Sequence, residues 1–386
     1  MMKRKREGFV IKVLVSIAFI MMLLQFPAVV TAAEKDETSG LNQKDIDYTQ
    51  IQSVIDQALS EDNNFDFMEY VTDLISGKRT FSITGILDDL KEVVSGEVKS
   101  NLSTFTGLIS IAVLAAVFTN FSYAFQNMQV AETGFYVAYL LLFSVLTGSF
   151  ITASTMAAQT ISSLLDFMKA MVPAYFMAVA FSTGAGTSMV YYQTTLVLIT
   201  FVNVLLVKII IPLINIYLVV TMANNLSKED MLSKFTELLE TIINWGLKTL
   251  LGVVIGFNTV QGLITPVSDK MKKSMVLKAA ESIPGVGDIF SGAAESVIGA
   301  GILLKNAIGV AGVVVIVSLC AVPVIKLAVM TLIYKVSSAA VQPISDKRML
   351  KCISASADAC LLLLQTVLVG AILFVITITI VAATTT

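Results

Sequence analysis

Few residues in this chain could do chemistry. Histidine is absent from all 386 positions, which removes imidazole acid–base catalysis, histidine metal ligation and Ser-His or Cys-His nucleophile pairs together. Cys320, Cys352 and Cys360 lie on or beside apolar stretches in the C-terminal quarter. An odd count closes no disulfide framework, and too few further ligands lie nearby in sequence to complete a metal site. They read as reduced thiols packed among helices. Glu132, Asp166, Asp288 and Glu295 are the acidic residues in or flanking the central apolar runs before Asp358, and none has a carboxylate partner spaced for hydrolysis. No GxxxxGK[ST] phosphate loop occurs, so the chain does not carry its own ATPase. No catalytic residue, cofactor or metal is expected. The remaining candidates are lysines and amides at membrane depth. Lys208 lies near the middle of an apolar run, one turn before Pro212, with Asn203 and Asn215 in the same run. An ammonium at the bilayer centre costs about 2.5–3.5 kcal/mol on insertion scales, so Lys208 is expected to face protein or a watery cavity. A lysine that snorkels, or that only pairs with a neighbouring carbonyl, is the alternative. Lys326, three residues after Pro323, lies nearer an end and can snorkel. Asn258 and Gln261 suit interhelical hydrogen bonds, and Gly252 with Gly256 makes a GxxxG pair suited to close packing, within the chain or between protomers.

The elements that must position these residues can be read from composition. Hydrophobic residues make up 56% of the chain and charged residues 14%, against about 25% charged in soluble domains, too few to cover a water-surrounded fold of this size. An all-α integral membrane protein is the expected class. Four arginines and a formal charge of −2 give no nucleic-acid-binding face. Lys3-Arg4-Lys5-Arg6, the apolar stretch from Val13 to Phe26 and the small residues Val30-Thr31-Ala32-Ala33 have the form of a signal peptide over 1–33. An uncleaved first helix is the alternative, and either places residue 34 onward outside the cytoplasm. From Glu34 to Ser100 there are 15 acidic and 6 basic side chains. Apolar residues recur there at three- and four-residue spacing around 46–59, 67–75 and 83–94, which predicts three short amphipathic helices in an outer segment, 34–101. These either form a cap or dock partners, or else make a solvated helical linker.

Long apolar runs occur near 102–124, 134–154, 170–190, 194–221, 246–265, 284–304, 307–333 and 355–383. About 20 apolar residues cross a bilayer, so seven to eight crossings are expected. The run at 284–304, with Pro284, Asp288 and Glu295, is a candidate re-entrant segment. If all eight runs cross, the lysines at 270, 272, 273 and 278 and the basic residues Lys335, Lys347, Arg348 and Lys351 all fall in the cytoplasm, as the positive-inside rule asks. Residues 228–245 read as an interfacial helix with Trp245 at headgroup level. Pro173 and Pro212 are spaced like Pro284 and Pro323. This suggests two units, 170–265 and 281–383, after two leading crossings in 102–169. With three crossings each, the second unit would be inverted, an arrangement that transport proteins use around a midplane pathway.

The C-terminal half supplies a motif string. Thr259-Val260-Gln261-Gly262, Ser282-Ile283-Pro284-Gly285-Val286-Gly287, Leu303-Leu304-Lys305-Asn306, Val322-Pro323-Val324-Ile325-Lys326, and Ile333-Tyr334-Lys335 through Val341-Gln342-Pro343 occur in that order. In these, and in its layout of signal peptide, acidic outer segment and polytopic body, the chain resembles the stage III sporulation protein AE family. The resemblance implies a multi-pass protein of the mother-cell (outer forespore) membrane, with its acidic segment in the intermembrane space. It implies a channel complex made with other membrane proteins of the same operon, an ATPase subunit and a forespore membrane partner, supporting forespore gene expression and development after engulfment. A permease-like core is the implied role, and the resemblance brings no catalytic residues. Lys208, Pro212, Asn215, Gln261, Pro284, Lys305, Asn306, Pro323 and Lys326 are the candidate pathway or helix-break positions. An independent secondary transporter of a small solute and a non-conducting scaffold are the competing readings.

Overall fold

The computed structural model describes residues 47–58, 65–77, 96, 99, 102–103, 105–114, 116–117, 128–183, 185–226, 231–281 and 287–384. The signal peptide, the third amphipathic stretch, residues 227–230 and Pro284 lie outside the described residues. All the regular elements among the described residues are helical: α1 (Thr49–Ala58), α2 (Phe67–Ile75), a short apolar α3 (Phe105–Leu114), α4 (Met128–Thr183), α5 (Ala185–Leu205), a π turn (Leu206–Ile210), α6 (Ile211–Leu226), α7 (Ser233–Glu281), α8 (Gly287–Val341) and α9 (Lys347–Thr384).

In the outer segment the expected spacing is realised. Tyr48, Ile51 and Ile55 of the α1 region and Phe67, Val71 and Leu74 of α2 are buried. Asp66 caps α2 by accepting from the Glu69 N–H at 2.8 Å, and Gln52 ties the pair by donating to the Phe65 carbonyl and accepting from the Phe67 N–H. Helix α1 packs on α4 and α2 on α8, so both dock on the body of their own chain.

The body is a bundle of five spans among the described residues, each long and apolar enough to cross a membrane: Glu132–Ser182, Ser188–Leu226, Ser233–Gln261, Ile298–Val341 and Lys347–Ala383. The eight apolar runs are therefore not eight separate crossings. The runs at 284–304 and 307–333 share α8, which continues without interruption for 55 residues, about 82 Å. Pro284 precedes its first residue, and the next proline is Pro323; the glycines between lower helix propensity without removing a backbone donor. Likewise the run at 134–154 and the first part of that at 170–190 lie on α4, with Pro173 inside the helix. Residues 233–245 are the first turns of α7 and lead without a break into its span; Leu239, Ile243 and Leu247 are buried while Leu238, Ile242 and Trp245 face out.

Successive spans run antiparallel. One end of the bundle gathers Thr183, Gln261 and the close of α9; the other gathers the start of α4, Leu226 and Val341. A single crossing by α8 puts the lysines at 270–278 and the basic residues at 335–351 at opposite ends. Helix α9 is the centre: 61% of its apolar window is buried, against 28% for α7, and it packs on α4, α6, α7 and α8. Its small residues Ala355, Ser356, Ala357, Ala359 and Cys360 are buried, as close helix approach requires.

Candidate functional site: a buried lysine, a polar belt and outward charges

At the Thr183 end, polar groups link the spans in a belt. Tyr191 of α5 donates to the Gln261 carbonyl of α7 at 3.3 Å, and the Gln261 amide donates back to the Thr194 hydroxyl. Asn258, one turn earlier on α7, lies 3.4 Å from the Thr377 hydroxyl of α9, and Tyr175 of α4 donates to the Ile378 carbonyl. The Ser188 hydroxyl donates to the Phe176 carbonyl, fastening α5 to α4. These pairings bear on the expectation for Asn258 and Gln261: both hold helices together.

Lys305 lies beside this belt and is fully buried. It sits one turn from both Gly301 and Gly309, on one face of α8. A Cβ on Gly301 would lie 2.8 Å from the Phe181 Cβ and 3.0 Å from the Phe181 backbone carbon, and one on Gly309 would touch Ile378 and Tyr175. Only glycine permits α4 to approach α8 this closely at position 301. The seam of α4, α8 and α9 thus encloses a lysine that no loop or end of the chain exposes. Its neighbour Asn306 is half-buried, as are Pro323 inside α8 and Lys326 one turn on.

Lys208 lies on the outside of this chain's bundle. It belongs to the π turn, where the Ile211 N–H donates to the Leu206 carbonyl five residues back. Pro212 has no N–H to give the Lys208 carbonyl, which accounts for the widened turn. The Lys208 side chain faces outward on the bundle with Pro212, between the exposed Val204 and Ile216. Asn215 is also exposed, although it accepts from Ser154 of α4 at 2.8 Å. Asp166 on α4 and Lys248 on α7 face outward too. None of Asp166, Lys208 and Lys248 has a hydrogen bond or ion pair among the described residues, whereas Lys305 and Lys326 each have a bonded, ring or electrostatic partner.

At the opposite end, contacts that spacing alone did not reveal close the bundle. Tyr139 donates to the Met222 carbonyl at 2.6 Å, Arg348 stands 3.6 Å over the Phe135 ring, and Lys335 pairs with Asp358 at 2.6 Å. An acid inside an apolar run was the one signal for the last of these; its partner emerges once α8 and α9 are folded into a hairpin about Pro343. Cys320, Cys352 and Cys360 are all free and buried. Among the described residues no cluster of three or more metal-ligating side chains forms. The whole arrangement offers amides, hydroxyls and ammonium groups, suited to joining helices or meeting an anionic group.

A family model described as stage III sporulation protein AE matches residues 65–385. The chain belongs to that family. It is also 24% identical, over 324 residues, to the stage III sporulation protein AE of Bacillus subtilis (strain 168), an alignment that covers 84% of this chain and 80% of that one. No solved structure matches the chain. Membership of the family gives the chain a role in sporulation, and its five apolar spans make it a multi-pass membrane protein.

Proposed function

We propose that the chain is the polytopic membrane subunit of a sporulation-specific channel complex linking mother cell and forespore, acting after engulfment as its permease-like core. The observation that carries this reading is the outward placement of Asp166, Lys208 and Lys248. A charge left facing hydrocarbon is costly, and such residues within spans almost always meet protein or water. A self-sufficient transporter would turn them toward an internal pathway; a subunit turns them toward its neighbours. The buried Lys305 supports a functional rather than purely structural bundle, because a lysine enclosed at membrane depth is costly unless something there requires it. The partners in this reading are other membrane proteins of the same operon, an ATPase subunit that supplies energy, and a forespore membrane protein met across the intermembrane space by the acidic outer segment. The subunit itself performs no reaction.

The test is affinity purification of the tagged chain in mild detergent from sporulating cells after engulfment. Co-purification of the operon-encoded membrane proteins with the ATPase subunit is expected. A chain recovered alone, and able by itself to drive coupled solute uptake into liposomes, would overturn the proposal in favour of an independent transporter.

A further inference from the structure

The outward face of α4 carries polar groups where lipid-facing residues would be apolar. Ser144, Gly148, Thr152, Thr155, Gln159 and Asp166 recur at three-, four- and seven-residue intervals, and all are exposed within the span Glu132–Ser182. That spacing keeps them on one stripe of the helix. A Cβ on Gly148 would meet nothing within 4 Å, so among the described residues nothing covers the stripe there. Polar and small residues on a membrane helix are what helix–helix interfaces use.

The same chain also carries outward cations whose depth can be compared with that of Asp166. Gly370 of α9 marks the level: a Cβ there would lie 3.3 Å from Leu206 and 3.8 Å from Ile161. From that level Lys208 is two residues toward one end and Asp166 five residues toward the other, an axial separation of about 10 Å, within the combined reach of the two side chains. Lys248 lies close to the Lys208 level, because a Cβ on Gly246 of α7 would lie 3.1 Å from the Ile210 side chain. Within one chain Asp166 and Lys208 do not bond.

We propose that the α4 stripe is an interface for a second copy of this chain, whose Lys208-bearing face on α5 and α6 lies against it with Lys208 opposite Asp166. One chain supplies both charges, each outward, and the roughly 10 Å of depth between them lies within the combined reach of the extended side chains, although Lys169, exposed one turn from Asp166, gives the stripe a base beside its acid. The contact is heterologous, stripe to opposite face, so each copy retains one free half and the arrangement extends to a ring where its rotation closes. This inference rests on the reading of the chain as a subunit of an assembly and names one of its neighbours.

The test uses the full chain expressed in a host without other sporulation proteins, so that it can fail while the operon-encoded complex stands. In a background with Cys320, Cys352 and Cys360 changed to alanine, two differently tagged copies are co-expressed, one with Gln159→Cys and one with Ile209→Cys, and their membranes are oxidised. A disulfide-linked heterodimer is expected, and a control pairing of Gln159→Cys with Val260→Cys should give none. Asp166→Lys in the first copy should abolish the product, and Lys208→Asp in the second should restore it. Reaction of Gln159→Cys with a membrane-impermeant maleimide would show that water covers the stripe and would overturn the proposal. So would the absence of heterodimer from two copies that are both present and well folded, which would leave lipid or a different subunit on the stripe.

Discussion

At the residue scale, Lys305 is the side chain on which most depends. Its burial and the glycines one turn to either side leave no room for a larger head group, so shape and charge can be separated by substitution. Lys305→Met keeps most of the volume and removes the charge. The chain is expected to accumulate at the normal level while heat-resistant spore formation falls sharply, measured by immunoblot beside spore counts. Lys305→Ala should in addition destabilise the fold by about 2–5 kcal/mol, the cost of emptying a buried long side chain. Normal sporulation in Lys305→Met would reduce this lysine to helix glue. The residue is legible in the sequence through its motif but is not distinguishable there from Lys208, because hydropathy and position along a run do not say which way a side chain turns. The two lysines are placed oppositely: the one at mid-run faces outward and the other is enclosed.

At the scale of the elements, the helix seams make graded predictions. Gly301→Ala would drive a methyl group into the Phe181 Cβ and backbone, which cannot give way, so a loss of about 1–3 kcal/mol is expected in thermal unfolding in detergent. Gly312→Ala meets the Met171 side chain instead, whose flexible end can rotate away, and should cost clearly less. If the two cost the same, the close approach of α4 and α8 at position 301 is wrong. In the outer segment, Asp66→Ala removes the α2 cap and should cost about 0.5–2 kcal/mol. Asp47 is held below the usual carboxylate range by the Thr49 hydroxyl and then its backbone N–H. A carboxylate lowered by folding stabilises at and above its ordinary pKa near 3.8 and loses that contribution as pH falls through its folded value. The helical signal of this segment should therefore weaken on acidification, and less so in Asp47→Ala. The existence of α1, α2 and the long spans was legible because their apolar spacing is strong. Continuity was not: the glycine-rich stretch before Pro323 resembles a break, yet glycine removes no backbone hydrogen bond and packing against α4 holds the helix intact.

At the scale of the whole molecule, five spans among the described residues are long and apolar enough to cross a membrane, and α8 is one continuous helix; a single passage of α8 is the prediction that would decide which loops share a side of the membrane. Charge in the loops points to one side for both basic clusters, whereas one passage of the continuous α8 predicts opposite sides. The placement of the lysines at 270–278 and the basic residues at 335–351 on opposite sides depends on that passage. Thiol accessibility tests it most directly. With the native cysteines changed to alanine, Lys272→Cys and Ile344→Cys are exposed in turn to a membrane-impermeant maleimide, in intact and in permeabilised cells. A single passage predicts that one position reacts in intact cells and the other only after permeabilisation; both reacting under the same condition would contradict it.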